Sequence, residues 1–284
     1  MDIRRSPATS KNALIQEDST PSGQGNGRWL SRQATAGSVI LIGGAGLSDF
    51  RLRVAQSHLR TDMLPSFWSG VGVSTGARLL MVPLLPVGDP SAVPGTNAIR
   101  ESAFSDLDDE GQYPNLAAIQ FTDRSEVIVA NVRRLMNQRH AIDIPSMVLA
   151  WLAFAWGAGG KRNPLLEGIG VPAAALVETA FGMAGIELTP GLASGSSCPE
   201  AIWQSALWWH DYYEKTASVD TRKTATARTD DARLPRSIVP MGAYRIQQPA
   251  AAVTYEPKAP ATIHASTPGR SRTSPRRRRS RKRT

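Results

Sequence analysis

From Asp123 onward the chain carries its clearest periodicity, and the period is helical. Ile128, Val132, Leu135 and Met136 recur at spacings of three and four, which puts them on one face of an α-helix. Asp123 with Glu126 three residues later makes an N-cap pair at its start. Arg124, Arg133, Arg134 and Arg139 flank the apolar stripe. A second helix follows Asp143-Ile144-Pro145 and stops at Gly157-Ala158-Gly159-Gly160. Met147, Val148, Leu149, Trp151, Leu152, Phe154 and Trp156 make it apolar on every side, so it is expected to be buried all round. A third helix, about 172–183, has Pro at its start and Gly at its end. A fourth opens on Ser197-Cys198-Pro199-Glu200, a capping-box pattern, and continues through Ile202, Trp203, Ala206, Leu207 and Tyr213.

The flanks are less regular. Residues 1–36 are rich in Ser, Gly, Gln, Asn and Thr and read as a disordered arm. The β-branched run 39–42 ends in Gly43-Gly44-Ala45-Gly46, a short strand and turn. Phe50, Leu52 and Val54 alternate with Arg51, Arg53 and Ala55; a half-buried strand fits, and a helix through Leu59 fits nearly as well. Residues 79–85 are apolar but broken by Pro83, 86–94 read as loop, and the acidic stretch 106–110 as solvated. Beyond Lys215 polar residues and Pro dominate, with a mildly apolar island at 238–244. The fold class expected is therefore mainly α. A core at 37–215, best defined over 123–215 and with a small β element on its N-terminal side, lies between the arm 1–36 and a C-terminal arm 216–284.

Charge divides the chain more sharply than pattern does. Of 33 Lys and Arg, nine stand in the last fifteen residues: Arg270, Arg272, Arg276, Arg277, Arg278, Arg279, Arg281, Lys282 and Arg283. Removing those nine leaves 24 basic residues against 24 acidic ones, so the whole formal +9 sits on the tail. Such an asymmetry points to a polyanionic partner, a phosphate backbone or an anionic surface. A 41% hydrophobic content supports a real core. The single cysteine, Cys198, can form neither an internal disulfide nor a zinc site alone, and a reducing compartment is the natural reading. Residues 1–27 carry no apolar signal segment. The best apolar run, 147–156, is about half the roughly twenty residues that span a bilayer, so a soluble protein is expected.

Three features could contact nucleic acid. The guanidiniums of the tail pair with phosphates through forked hydrogen bonds and read no sequence; the bland alternatives are a solvated tail or an import signal. Phosphorylation at Ser271, Ser274 or Ser280 would each remove about two positive charges and weaken such binding. Arg133 and Arg134, with Lys161 and Arg162 beyond the next helix, could line a groove for a phosphate backbone; the bland alternative is an ordinary solvated helix face. Trp203, Trp208, Trp209, Tyr212 and Tyr213 could stack on bases, although core packing or a subunit contact explains such a cluster better.

Catalytic and cofactor patterns are missing. The turn at 43–46 lacks the Gly-Lys-Ser/Thr of a phosphate loop and does not match Gly-x-Gly-x-x-Gly. His58, His140, His210 and His264 have no ligand spacing, no Gly-x-Ser-x-Gly occurs, and Cys198 has no evident base. The expectation is a protein without catalytic residues, metal, cofactor or small-molecule substrate.

A core of neutral charge between a polar arm and a long arm ending in arginines resembles the layout of viral coat and nucleocapsid proteins. The terminal Ser274-Pro275-Arg276-Arg277-Arg278-Arg279-Ser280-Arg281-Lys282-Arg283 resembles the nucleic-acid-binding tails of hepadnavirus core proteins. Length, basic character and the Pro, Ala and Ser content resemble the proline-alanine-serine-rich proteins of polymycoviruses, and the two-armed helical layout is similar to coat proteins of flexuous filamentous viruses. These resemblances imply an RNA-packaging, self-associating protein of the virion and host cytoplasm or nucleus, with no membrane partner. A monomeric nuclear nucleic-acid-binding protein using the tail as an import signal is the alternative.

Overall fold

Val39–Gly43 (β2) is the middle of the molecule, and all five of its residues are buried. A strand buries successive residues only when both its faces are covered, because neighbouring side chains point to opposite sides. The structure, a computed structural model, describes residues 14–19, 23–82, 99–138, 142–157, 160–220 and 238–248. In it β2 pairs antiparallel with Gly70–Ser74 (β3) on one side and Asn115–Gln120 (β6) on the other. Beyond β3 come Arg78–Met81 (β4) and Arg100–Ala103 (β5), and beyond β6 comes Met241–Ile246 (β7), all antiparallel. Ile15–Glu17 (β1) closes the far edge, parallel to β7. The result is a seven-stranded mixed sheet in the order β1-β7-β6-β2-β3-β4-β5.

The alternation along each strand sorts the core into two layers. Val39, Leu41, Val71, Val73, Leu80, Ala117 and Ile119 face one way. They pack against residues from Leu47–Ala55 (α2), Ser125–Asn137 (α3), Ile144–Ala155 (α4), Pro172–Gly182 (α5) and Pro199–Asp220 (α6). Ile40, Ile42, Leu79, Leu116, Ala118 and Ala243 face the other way, against Trp29 and Leu30 of Asn26–Gln33 (α1) and against Phe104 and Leu107. Within the larger layer α5 is buried along most of its length. Its Ala173, Ala174 and Ala175 are small enough to let α3, α4 and β3 all pack against it.

The expectation of a mainly α protein is thus wrong: the four helices between 123 and 220 are present, but they cover a sheet. The β-branched run 39–42 is the short strand expected there, β2. The other strands escaped notice for physical reasons. They are three to six residues long. β3 reads Gly-Val-Gly-Val-Ser and β6 Asn-Leu-Ala-Ala-Ile-Gln, so glycine and alanine, poor strand formers, occupy four of their eleven positions. Described parts of 1–36 supply β1 and α1, and the apolar island inside 216–284 is β7, inserted between β1 and β6. The segment 50–55 is helical.

Two helix starts differ from their sequence signals. Arg124, not Asp123, is the N-cap of α3, without a side-chain cap; Thr122 Oγ1 accepts the Arg124 N–H at 3.2 Å. The Ser197/Glu200 box does not form. Ser197 Oγ donates to Glu178 Oε1 at 3.1 Å, and the Glu200 N–H donates to Gln56 Oε1 at 2.9 Å. The buried Glu200 carboxylate accepts from Ser66 Oγ at 2.5 Å and Gln204 Nε2 at 2.6 Å. This network fixes the start of α6 to the segment between α2 and β3.

A basic surface and a cavity at the end of the sheet

The arginines of α3 sit where the helical period puts them. Ile128, Val132 and Leu135 are buried, while Arg133 and Arg134 are exposed. Arg133 Nη2 lies 3.6 Å from Glu101 Oε1, and Arg134 Nε donates to Gln138 Oε1 at 3.0 Å. Arg124 Nη1 donates to Ala184 O at 3.2 Å. Lys161 and Arg162, beyond α4, are exposed too. α4 has 12 residues, about 18 Å at 1.5 Å per residue, and separates the two pairs along the chain. No hydrogen bond or ion pair among the described residues joins one pair to the other. Arg139, His140, His264 and the whole tail 270–284 lie outside the described residues.

The aromatic cluster divides between core and surface. Trp203 is buried, edge-on to Trp68 at 5.2 Å and to Tyr244 at 5.1 Å. Trp209 is buried as well. Trp208 is 60% exposed and stacks on Tyr212 at 5.8 Å with 12° between the rings. The α4 face expected to be buried is partly open, with Leu149 59% and Trp156 51% exposed. Cys198 is buried, and burial pushes its thiol up to about 12, so it stays protonated at neutral pH. His58 Nδ1 is 3.1 Å from Ala55 O, and His210 Nδ1 accepts the Ile15 N–H at 3.3 Å. Among the described residues no three His, Cys, Asp or Glu side chains gather as metal ligands. No described helix is long and apolar enough to cross a membrane.

Sequence reasoning missed a cavity of about 740 Å³ at one end of the sheet. It is bounded by the Gly46–Arg51 part of α2, the start of β3, β4, α4, the first residues of α5, and the 102–113 segment. Ile42, Leu79 and Met81 belong to the α1 side of the sheet, whereas Val82, Val148, Trp151 and Ala173 belong to the helical side. Gly70 lines the cavity too and, without a side chain, leaves open the space beside Ile42 and Met81.

Polar groups collect at one part of its wall. Ser69 Oγ donates to Asp49 Oδ1 at 2.6 Å and accepts the Gly44 N–H at 3.0 Å. Asp49 is the third residue of α2, where a carboxylate satisfies free N–H groups at the helix start. Burial pushes the Asp49 carboxyl above its ordinary value against the opposing pull of the Ser69 hydrogen bond and the Arg53 charge. The only sequence signal was the glycine turn. A Cβ on Gly43 would stand 2.0 Å from Phe67 O, and one on Gly44 would stand 2.3 Å from the Asp49 carboxyl carbon. These glycines make room for backbone and a carboxylate and do not cradle a phosphate.

No protein-family model matches the sequence, and no curated protein is similar to it.

Proposed function

We propose that this chain is a coat or nucleocapsid-type protein that binds RNA through residues 270–284 and associates with copies of itself through its folded unit. The observation that carries the reading is the partition of charge: the nine basic residues of the tail account for the entire formal +9. A polymer of phosphates is the partner for which so concentrated a cationic segment is suited, because each neutralised phosphate releases a counterion. Exposed Arg133, Arg134, Lys161 and Arg162 support additional local contacts, with Arg133 the weakest of them because Glu101 already lies beside it. The apolar residues left open on α4 and α6, Leu149, Trp156 and Trp208, support self-association.

The test is RNA affinity against salt for the full chain and for a variant with Arg276, Arg277, Arg278 and Arg279 replaced by Gln. Nine phosphate contacts correspond to a log–log slope of roughly −6 to −8, and the variant should lose about three to four units of it. An unchanged slope would overturn the assignment to the tail. Particles or filaments in negative-stain microscopy, present with RNA, separate a coat protein from a monomeric nuclear one.

A further inference from the structure

We propose that the cavity at the end of the sheet is a binding site for a small organic cation, an amine carrying an apolar body. Its size is that of a ligand site, within the range of roughly 300–1,000 Å³ that small-molecule pockets occupy. The apolar end is built by Met81, Val148 and Trp151. Trp151 is fixed there, since its Nε1 donates to Gly170 O at 2.7 Å. An apolar body buried against these side chains is favoured by about 25 cal/mol for each Å² removed from water.

The polar end sets the sign of the ligand. Asp49 and Asp106 both line the cavity, and Asp106 is exposed at it. Each carboxylate makes hydrogen bonds within the protein, Asp49 from Ser69 and Asp106 from the Ala103 N–H at 3.1 Å. A carboxylate has about four acceptor positions, so both can accept further donors. Among the described residues one cation, Arg51, also lines the wall; its Nη1 donates to Ala155 O at the C-terminal end of α4, where the helix dipole is negative, and the two carboxylates outnumber it. Arg53 is fully buried behind the turn, with Nε on Ser66 O at 2.6 Å, and does not line the cavity. Burial first, then the charges of Asp49, Asp109 and Asp106, push the Tyr113 phenol above the ordinary value. Half-exposed Trp156 adds an aromatic face, to which an ammonium is attracted.

The described residues that line the cavity include none of 270–284, so the site is tested without RNA. Calorimetric titration and thermal shift of the full chain would use 4-phenylbutylamine and, as the shape-matched anion, 4-phenylbutyrate. The amine is expected to bind saturably and at least about tenfold tighter than the anion, which faces two carboxylates at short range. Gly70→Leu fills the space. A Cβ there meets Ile42 Cβ and Met81 Cε at an ordinary 3.9 Å, so the added side chain starts without a clash; with its fold checked by circular dichroism, the variant should lose binding. Asp106→Asn keeps the acceptor for Ala103 and removes a charge, so it should narrow the preference for the amine. Absence of saturable amine binding overturns the proposal. So does equal binding of the anion, or amine binding that survives in a folded Gly70→Leu protein.

Discussion

The Arg245 guanidinium lies over the Trp29 ring, 5.4 Å from its centre, and joins the strand β7 near one end of the chain to α1 near the other. Arg245 is buried, and its Nη2 is 3.5 Å from Glu110 Oε1. Burial pulls the guanidinium below its ordinary value, and the Glu110 charge opposes that pull. A buried ion pair is costly to break from one side but can be replaced as a whole by apolar side chains. Glu110→Ala should therefore destabilise the fold by about 2–4 kcal/mol, below the 3–5 kcal/mol of a fully buried pair because Glu110 retains 19% exposure. The double variant Arg245→Met with Glu110→Gln should cost less than about 1 kcal/mol or stabilise, since it keeps the packing on Trp29 and removes both charges of the pair together. Urea denaturation of both variants checks this; equal losses would contradict it.

Trp203 is the rivet between α6 and the sheet. It packs edge-on to Trp68 and to Tyr244, so one ring touches both the segment leading into β3 and the strand β7. Trp203→Ala is expected to cost about 3–5 kcal/mol, the range for deleting a buried tryptophan. Chemical denaturation giving a loss under about 1 kcal/mol would mean that α6 is not held in this way.

Glu178 gives stability a pH dependence of known sign. Burial raises its carboxyl above the ordinary 4.5, while hydrogen bonds from Thr189 at 2.6 Å and Ser197 at 3.1 Å work against that rise. Because the folded value is the higher one, the folded state holds the proton more tightly. The group's contribution is complete below about 4.5 and is lost as pH climbs through the folded value. Glu178→Gln keeps an acceptor oxygen for both hydroxyls and removes the titration. Its melting temperature should match the unsubstituted protein near pH 4, exceed it at pH 7, and vary less in between. Asp49, raised by the same cause, leaves a residual slope in that variant. Melts recorded from pH 4 to 8 decide the matter; a Gln variant less stable at pH 7 would contradict the sign.

How much of this was legible depended on whether a segment's environment leaves a period behind. α3 has one covered face and announced itself through Ile128, Val132 and Leu135. α4 also showed its limits correctly, because Asp143 caps it through Ser146 and Gly157 ends it. Its surroundings were misjudged: the apolar residues Leu149 and Trp156 do not face the core. Apart from the β-branched run of β2, the sheet had no such signature; β3 uses glycine where a Cβ on Gly72 would stand within 3 Å of the Leu80 carbonyl oxygen and of Leu79. β1 and β7 are parallel neighbours more than two hundred residues apart in the chain, a pairing that no local pattern announces. The cavity was hidden for the same reason, for Asp49, Ser69, Asp106 and Trp156 converge only once the sheet and helices are assembled. The charge of the tail needed no fold to be seen.

Trp208 offers the most direct check on self-association. Its ring is 60% exposed although it is stacked on Tyr212, and an indole left largely in water contributes little to the stability of the single chain. Trp208→Ser should therefore shift unfolding by no more than about 0.5 kcal/mol. If α6 meets a second copy at this ring, the same change removes an anchoring side chain worth roughly 2 kcal/mol, which weakens the association constant about thirtyfold. Sedimentation velocity over a concentration series reads that difference directly, and the RNA salt slope measured beside it should not move. Unchanged sedimentation would place the subunit contact elsewhere, with the open face of α4 around Leu149 and Trp156 the next to be substituted.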